Sequence, residues 1–327
     1  MINTSNTGKK LFDGQFLIRY GTIFTLVAVF IAFSLISNRF LVTDNLLNIL
    51  KQSSLLFIVA LGVTIAMGTG EFDMCTGNVA SLSTILCASL MANAGWGVLP
   101  TIALCITVGI AIGALNGFLT VVVGIPSIIV TLGMSSLLQG VGSSITQGRN
   151  VYGAGIPASI TDFANGSLGP LNNLSVVAIV FLVVVYLFLN KTVFGRYIYA
   201  VGGNSKAAKL SGINVAMWRF LSMLLCSTFA CIAGVLLMAR LGAGSATAGV
   251  SYTLDAVSAV FIGMTCIRIG RPNVVGTVVG TFLIAILING LTMMGLSYYY
   301  QNIVSGAVMI GAIALTASRT ELSFFKS

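Results

Sequence analysis

The stretch that decides the fold is Lys191-Thr-Val-Phe-Gly-Arg196, followed by Ala200-Val-Gly-Gly-Asn-Ser-Lys-Ala-Ala-Lys-Leu-Ser-Gly-Ile-Asn214. Between Lys191 and Arg219 there are five cations and no acid. Apolar runs at 174–190 and 218–239, each long enough to cross a bilayer, flank this break. A short helix fits inside it. Asn204 or Ser205 can cap Lys206-Ala-Ala-Lys-Leu-Ser211, and Gly212 suits a left-handed stop. Ala207 and Ala208 would present a small face to a groove in a partner. On the inner face of a multi-pass protein, such an element is where a soluble motor can push. The plainer alternative is a basic loop that only obeys the positive-inside rule.

Outward from this stretch the chain is oily. Its 327 residues are 57% apolar and 7% charged, with a mean hydropathy of +1.03. A soluble domain carries roughly 25% charged residues. In hydrocarbon an unsatisfied backbone group is costly, so apolar spans are helices or a closed barrel. Runs of about 15 to 22 residues without strict alternation suit helices of about 20 residues, not barrel strands of about 10. The expectation is an all-α polytopic membrane protein forming one transmembrane domain over 1–327. Its ten spans are 20–37, 52–70, 77–92, 98–121, 126–146, 174–190, 218–239, 253–267, 274–294 and 299–317. Pro126 and Pro272 suit the first turns of the helices they precede.

With the N-terminus inside, the inner segments hold Lys9, Lys10, Arg19, Lys191, Arg196, Lys206, Lys209, Arg219, Arg268, Arg271, Arg319 and Lys326, twelve cations in all. The outer segments hold four: Arg39, Lys51, Arg149 and Arg240. This split sets the orientation, with both termini cytoplasmic. The net charge of +9 lies at span ends and not along one basic face, so it marks topology and not a nucleic-acid surface. The first apolar run lacks a small-residue cleavage site, so it reads as a retained span and not a signal peptide. None of the six cysteines forms a C-x-x-C pair, which argues against disulfide and metal frameworks. The absence of histidine excludes a histidine base or metal ligand.

Residues 52–146 and 218–317 look alike. Each half has four spans, and each has an acidic, glycine-containing stretch after its first span: Gly70-Glu-Phe-Asp-Met-Cys-Thr-Gly77 and Gly249-Val-Ser-Tyr-Thr-Leu-Asp255. An odd number of spans separates the two starts, so the halves would be inverted repeats. Gly109, Gly113 and Gly117, and Gly276 and Gly280, recur at spacings that bring membrane helices into backbone contact.

Acids at membrane depth are functional candidates. Glu71 and Asp73 are placed at the inner end of span two, where Asp73 is expected to cap the next helix and fix a gate. Asp255, near the outer start of span eight, reads most simply as an acid favoured by the helix dipole. Asn116, Thr131, Gln139 and Asn289 lie within spans as pore candidates, or as interhelical hydrogen bonds. Arg240, Arg149 and Arg39 are candidates for steering a docking protein, Arg240 first because it ends span seven. A permease needs weak, replaceable contacts with its cargo, so a strong binding site is not expected. No Gly-x-x-x-x-Gly-Lys-Ser/Thr loop exists, so ATP hydrolysis would need a partner chain.

Gly195-Arg-Tyr-Ile-Tyr-Ala-Val-Gly-Gly-Asn-Ser-Lys-Ala-Ala-Lys-Leu-Ser-Gly-Ile-Asn214 resembles the cytoplasmic coupling loop of bacterial ABC importer permeases of the ribose and simple-sugar type. Pro126-Ser-Ile-Ile-Val-Thr-Leu-Gly133, Leu254-Asp-Ala-Val-Ser-Ala-Val-Phe-Ile-Gly263 and Asn289-Gly290 are similar to that family's fifth, eighth and ninth spans. The resemblance implies a vitamin-B12-permease-like (type II) fold in the bacterial cytoplasmic membrane. It implies pairing with a second or sister permease, a cytoplasmic ATPase pair that binds ATP and Mg, and an external sugar-binding protein. Within the loop 191–217 it assigns coupling to Gly203, Asn204, Ser205, Lys206, Ala207, Ala208, Lys209, Leu210, Ser211 and Gly212. This chain would itself carry no cofactor. It departs from the family's Gly-Gly-Ile-Asp-Leu-Ser-Val-Gly in adding Glu71 and in placing Cys75 where serine is usual. The turn Gly263-Met-Thr-Cys-Ile-Arg-Ile-Gly-Arg-Pro272 is also less glycine-rich than usual.

Two rival readings remain at this level. A secondary transporter using Glu71 and Asp73 as a proton relay accounts for the acids but not for the loop. A two-aspartate intramembrane protease would need Asp73 and Asp255 together, whereas the expected topology puts them on opposite sides.

Overall fold

A computed structural model describes residues 14–153 and 155–319; the expected inner cations Lys9, Lys10 and Lys326 lie outside the described residues. The described chain is a bundle of helices: α1 (Gly14–Ile36), α2 (Thr43–Gly68), α3 (Thr76–Ala92), α4 (Val98–Val121), α5 (Ser127–Thr146), α6 (Ala158–Asn165), α7 (Asn173–Lys191), α8 (Val193–Gly203), α9 (Ser205–Leu210), α10 (Val215–Leu241), α11 (Ser251–Met264), α12 (Val274–Met293) and α13 (Tyr298–Arg319). A two-stranded hairpin, β1 (Ser167–Leu168) and β2 (Leu171–Asn172), precedes α7. Six helices, α2, α4, α5, α7, α10 and α12, are long and apolar enough to cross a membrane. Helix α2 starts nine residues before the expected span at 52. Asp44 in its first turn complements the helix dipole there, and hydropathy alone does not register that turn.

The core is built on α2 and α10. Every residue of α2 from Ser53 to Gly68 is buried, the pattern of a helix enclosed by other helices on all sides. Helix α10 packs on α2, α3 and α4, and α12 packs on α2 and α11. By contrast α4, α5 and α7 turn leucine, isoleucine, valine and phenylalanine outward, among them Leu115, Phe118, Leu132 and Val183. Such faces need an apolar solvent. Hydroxyl pairs tie the core together: Thr64 to Thr277 at 2.7 Å and Ser54 to Ser175 at 3.1 Å. In hydrocarbon these are the directional contacts between helices.

The glycine spacings mark the closest helix contacts. Gly109, Gly113 and Gly117 place α4 against Cys231, Leu224 and Phe220 of α10, and Gly276 and Gly280 place α12 against Gly263 and Ala259 of α11.

The third and eighth expected spans differ from a simple up-and-down reading. Helix α2 ends beside the start of α10, with Thr69 Oγ1 2.7 Å from Ser222 Oγ. The chain then turns back into the bundle and climbs along α10. Asp73 meets Ser227, the thirteenth of that helix's 27 residues. Thr84 reaches Ser245, just beyond its far end. After α10 the chain descends along α3, until Gly77 N donates to Thr253 Oγ1 at 2.8 Å. Helices α3 and α11 therefore begin together at mid-bundle and run to opposite ends. A Cβ on Gly77 would lie 2.5 Å from Gly249 O, so only glycine fits the crossing. The expectation that Asp73 lies at the inner end of a span is corrected accordingly: it sits at mid-bundle, beside Ser227. Hydropathy does not reveal a link that re-enters the bundle, because its few polar residues look like a loop.

The α4–α10 contact can be tested. Gly113→Val would put its Cβ 2.7 Å from the Leu224 Cα, which is backbone and cannot yield. Overpacking of this kind costs about 1–3 kcal/mol. Thermal unfolding in detergent should show a clearly lowered midpoint for Gly113→Val and little change for Gly133→Ala, where no atom lies within 4 Å. Equal midpoints would refute the contact.

Candidate functional site

Two regions gather the polar residues singled out in the sequence. They are the link between α2 and α3, and the α8–α9 element beneath it.

The link Thr69–Cys75 is irregular backbone inside an apolar bundle, so its N–H groups need partners. Helix α5 supplies two. Ser127 Oγ accepts from Phe72 N at 3.1 Å, and Thr131 Oγ1 accepts from Met74 N at 3.0 Å. The spacing follows from geometry: four residues of helix rise about 6 Å, close to the span of two extended residues. The Pro126-initiated helix thus presents two hydroxyls in register with alternate amides. Asp73 serves the next amide itself, as its Oδ1 accepts from Cys75 N at 2.9 Å and from Cys75 Sγ at 3.0 Å. Its other oxygen accepts from Ser227 at 3.3 Å. Asn116 of α4 donates to Cys75 Sγ at 3.2 Å. The gate candidate Asp73 and two of the four pore candidates, Asn116 and Thr131, therefore meet on one link; a third, Gln139, is exposed on α5.

Asp73 is not the N-cap of α3. That position is Cys75, and Asp73 forms a turn leading into it. Glu71 is 2% exposed and ion-paired with Arg219, four residues into α10. Glu71 and Asp73 are both buried. The fourth candidate, Asn289, stands apart. It exchanges two hydrogen bonds with Asn45, at 3.2 and 3.0 Å, which is the interhelical alternative.

Beneath the link lies α9, six residues long. Asn204 Oδ1 accepts from Ala207 N at 2.9 Å, and Gly212 takes φ +81°, as the sequence predicts. Asn214 then caps α10 by accepting from Met217 N at 3.0 Å. Ala208 does not face outward. It is buried among Ile198, Val201 and Trp218, whereas Gly203 to Ala207 and Lys209 to Gly212 are exposed. Leu210 is 90% exposed, and this apolar knob among cations is the most prominent feature of the surface. Sequence reasoning included Leu210 but gave the apolar role to the alanines. The helical phase that places Ala208 inward is set by packing on α8 and α10. Helix α8 was read as loop. It lies so close to the end of α2 that a Cβ on Gly202 would clash with Gly68 O, and Tyr197 and Phe194 pack on Trp218 at 5.4 and 5.6 Å.

At the opposite end of the bundle, a cavity of about 740 Å³ opens between α2, α10, α11 and α13. Arg240 and Asp255 line it. Arg240 is partly exposed, whereas Arg39 and Arg149 are exposed.

Residues 45–313 match the family model described as branched-chain amino acid transport system / permease component. The chain belongs to this permease family. Its curated relatives include the ribose import permease protein RbsC of Escherichia coli K12, 34% identical over 320 residues, covering 96% of this chain and 98% of that protein. RbsC of Bacillus subtilis 168 is 33% identical over 94% of this chain and 95% of its own length. The D-allose transport system permease protein AlsC of Escherichia coli K12 is 32% identical over 96% of each. No solved structure matches the chain. This permease-family chain is a multi-pass membrane transport component and not an enzyme.

The ion pair should be measurable. Glu71→Gln and Arg219→Gln should each lower stability by about 1–3 kcal/mol, the worth of a hydrogen bond to a charged group. The partial exposure of Arg219 keeps this below the cost of breaking a fully buried pair. A double-mutant cycle read by thermal unfolding should show coupling between the two; strictly additive losses would exclude the pair.

Proposed function

We propose that this chain is the membrane-spanning subunit of an ATP-driven importer carrying a ribose-type monosaccharide. An extracytoplasmic binding protein would deliver the sugar, and ATP and Mg would be bound by a separate cytoplasmic ATPase dimer. The observation that carries this reading is the capped α9 helix with its exposed Leu210 and flanking Lys206 and Lys209. A partner groove that buries one leucine gains about 1.5–3 kcal/mol, and the cations orient the encounter. The names of the full-length relatives favour a sugar as cargo over an amino acid.

Several placements belong to this proposal. The membrane is the bacterial cytoplasmic membrane, crossed about ten times, with both termini inside. The described cations support that orientation: Lys191, Arg196, Lys206, Lys209, Arg219, Arg268 and Arg271 gather towards the α9 end, against Arg39, Lys51, Arg149 and Arg240 at the other. A second permease copy or a sister permease completes the pore, and Arg39 and Arg149 face the binding protein. The inverted repeats 52–146 and 218–317, and with them the vitamin-B12-permease-like architecture, find support in matched packing. Helix α2 lies on α11 and α12 as α10 lies on α3 and α4. Asp73 holds the inner gate by fixing the link, and Asn116 and Thr131 assist. The pairing of Glu71 with Arg219 favours ATP coupling over a proton relay, since that carboxylate already has a cation.

Leu210→Asp should weaken association with the cognate ATPase by tenfold or more, about 1.4 kcal/mol or greater, and abolish uptake in proteoliposomes. Wild-type association in a pull-down would remove the basis of the reading. For the gate, Asp73→Asn keeps the acceptor for Cys75 N and should retain most uptake, while Asp73→Leu should lose about tenfold or more. Equal rates in the two variants would reject that role.

A further inference from the structure

The cavity at the end remote from α9 contains an acid that forms no ion pair among the described residues. Asp255 lies beyond the first turn of α11, outside the reach of the helix dipole that would explain an acid at the start. It is buried, yet it forms part of the cavity wall. Among the described residues the one ion pair is Glu71 with Arg219, so neither Asp255 nor Arg240 is in such a pair. A carboxylate at this depth is costly to keep and marks a functional site.

The groups around it share one chemistry. Asp255 faces Ser305 of α13, and Gln301 lies one turn earlier on the same helix face. The Gln301 amide donates to Thr292 Oγ1 at 3.1 Å and to Leu296 O at 3.3 Å, which fixes its orientation. Gln52 and Tyr252 are among the other polar residues of the lining, with Ser53, Thr247, Ser251 and Asn302. A carboxylate offers acceptors, a guanidinium a fork of donors and a carboxamide one of each. Tyr252 adds an aromatic face with a polar tip. Such groups are suited to pairs of neighbouring hydroxyls. The charges of Asp255 and Arg240 cancel, so the lining suits a neutral ligand better than an ion. The volume of about 740 Å³ is in the range of small-molecule sites.

We infer that this cavity is a contact site for a neutral, polyhydroxylated sugar within the permease, with Asp255 accepting its hydroxyls and Gln301 discriminating among epimers. The inference rests on the import reading and deepens it: the membrane subunit adds selectivity of its own to that of the binding protein. It is consistent with the sequence expectation of weak, replaceable contacts with the cargo. Contacts are few and polar, so the sugar is held in register and still released.

The test uses the whole importer, permease with its ATPase and binding protein, in proteoliposomes. Uptake of D-ribose, D-allose and D-galactose is measured beside ATP hydrolysis. Asp255→Asn should reduce uptake of the carried sugar about tenfold, the loss of one charge-assisted hydrogen bond. Gln301→Ala should change the ratio of the sugars by about threefold or more, with stimulated ATP hydrolysis within about twofold of wild type in both variants. Ser305→Ala removes a single hydroxyl and should shift the same ratio, which keeps the test decisive if Asp255→Asn fails to insert. Unaltered uptake and ratios across the inserted variants overturn the assignment while leaving the import reading intact. A wild-type importer that hydrolyses ATP but takes up none of the three sugars overturns the cargo reading itself, and this site with it.

Discussion

The structure depends on satisfying the backbone of one short irregular segment inside an apolar bundle. Between Thr69 and Cys75 the chain is neither helix nor strand, and all of it but Gly70 and Met74 is buried. Its amides are met by Ser127 and Thr131 from α5 and by Asp73 from within, while Ser222 and Arg219 of α10 hold the side chains of Thr69 and Glu71. Irregular backbone at membrane depth persists only where protein groups replace the missing solvent. Each of these partners is therefore tied to the position of the link, and the link ties α5, α10 and, through Asn116 and Cys75, α4 to the start of α3.

The same contacts give the bundle a continuous mechanical path. Helix α9 rests on α8 and α10 through Ala208, and α8 crosses the end of α2 at backbone contact. The start of α10 carries Arg219 to Glu71. Packed contacts therefore run from α9 through α8 and α10 to the link. The glycine seams between α4 and α10 and between α11 and α12 bring those helix pairs into backbone contact.

Polar residues of the bundle fall into two groups that differ in physical role. Asn45 with Asn289, Thr64 with Thr277 and Ser54 with Ser175 satisfy one another across helices and stabilise packing. Asp255, Arg240 and Gln52 line a cavity instead. Sequence does not separate these groups, since Asn289 and Asp255 both appear as isolated polar residues in apolar runs.

What the sequence determined by itself was local or compositional. Apolar run length marked the long helices, because a helix in hydrocarbon must bond its own backbone. The Asn204 cap, the Gly212 stop and the glycine seams were legible because each depends on residues within a few positions. Only the tertiary structure decided the rest. The return of the link to mid-bundle, the meeting of α3 and α11 at Gly77 and Thr253, the pairing of Glu71 with Arg219 and the outward turn of Leu210 each join segments distant in sequence, or set a helix's phase against its neighbours. Hydropathy averages over a window and carries no information about which distant hydroxyl will meet a buried amide, so these features emerge only when the helices are packed.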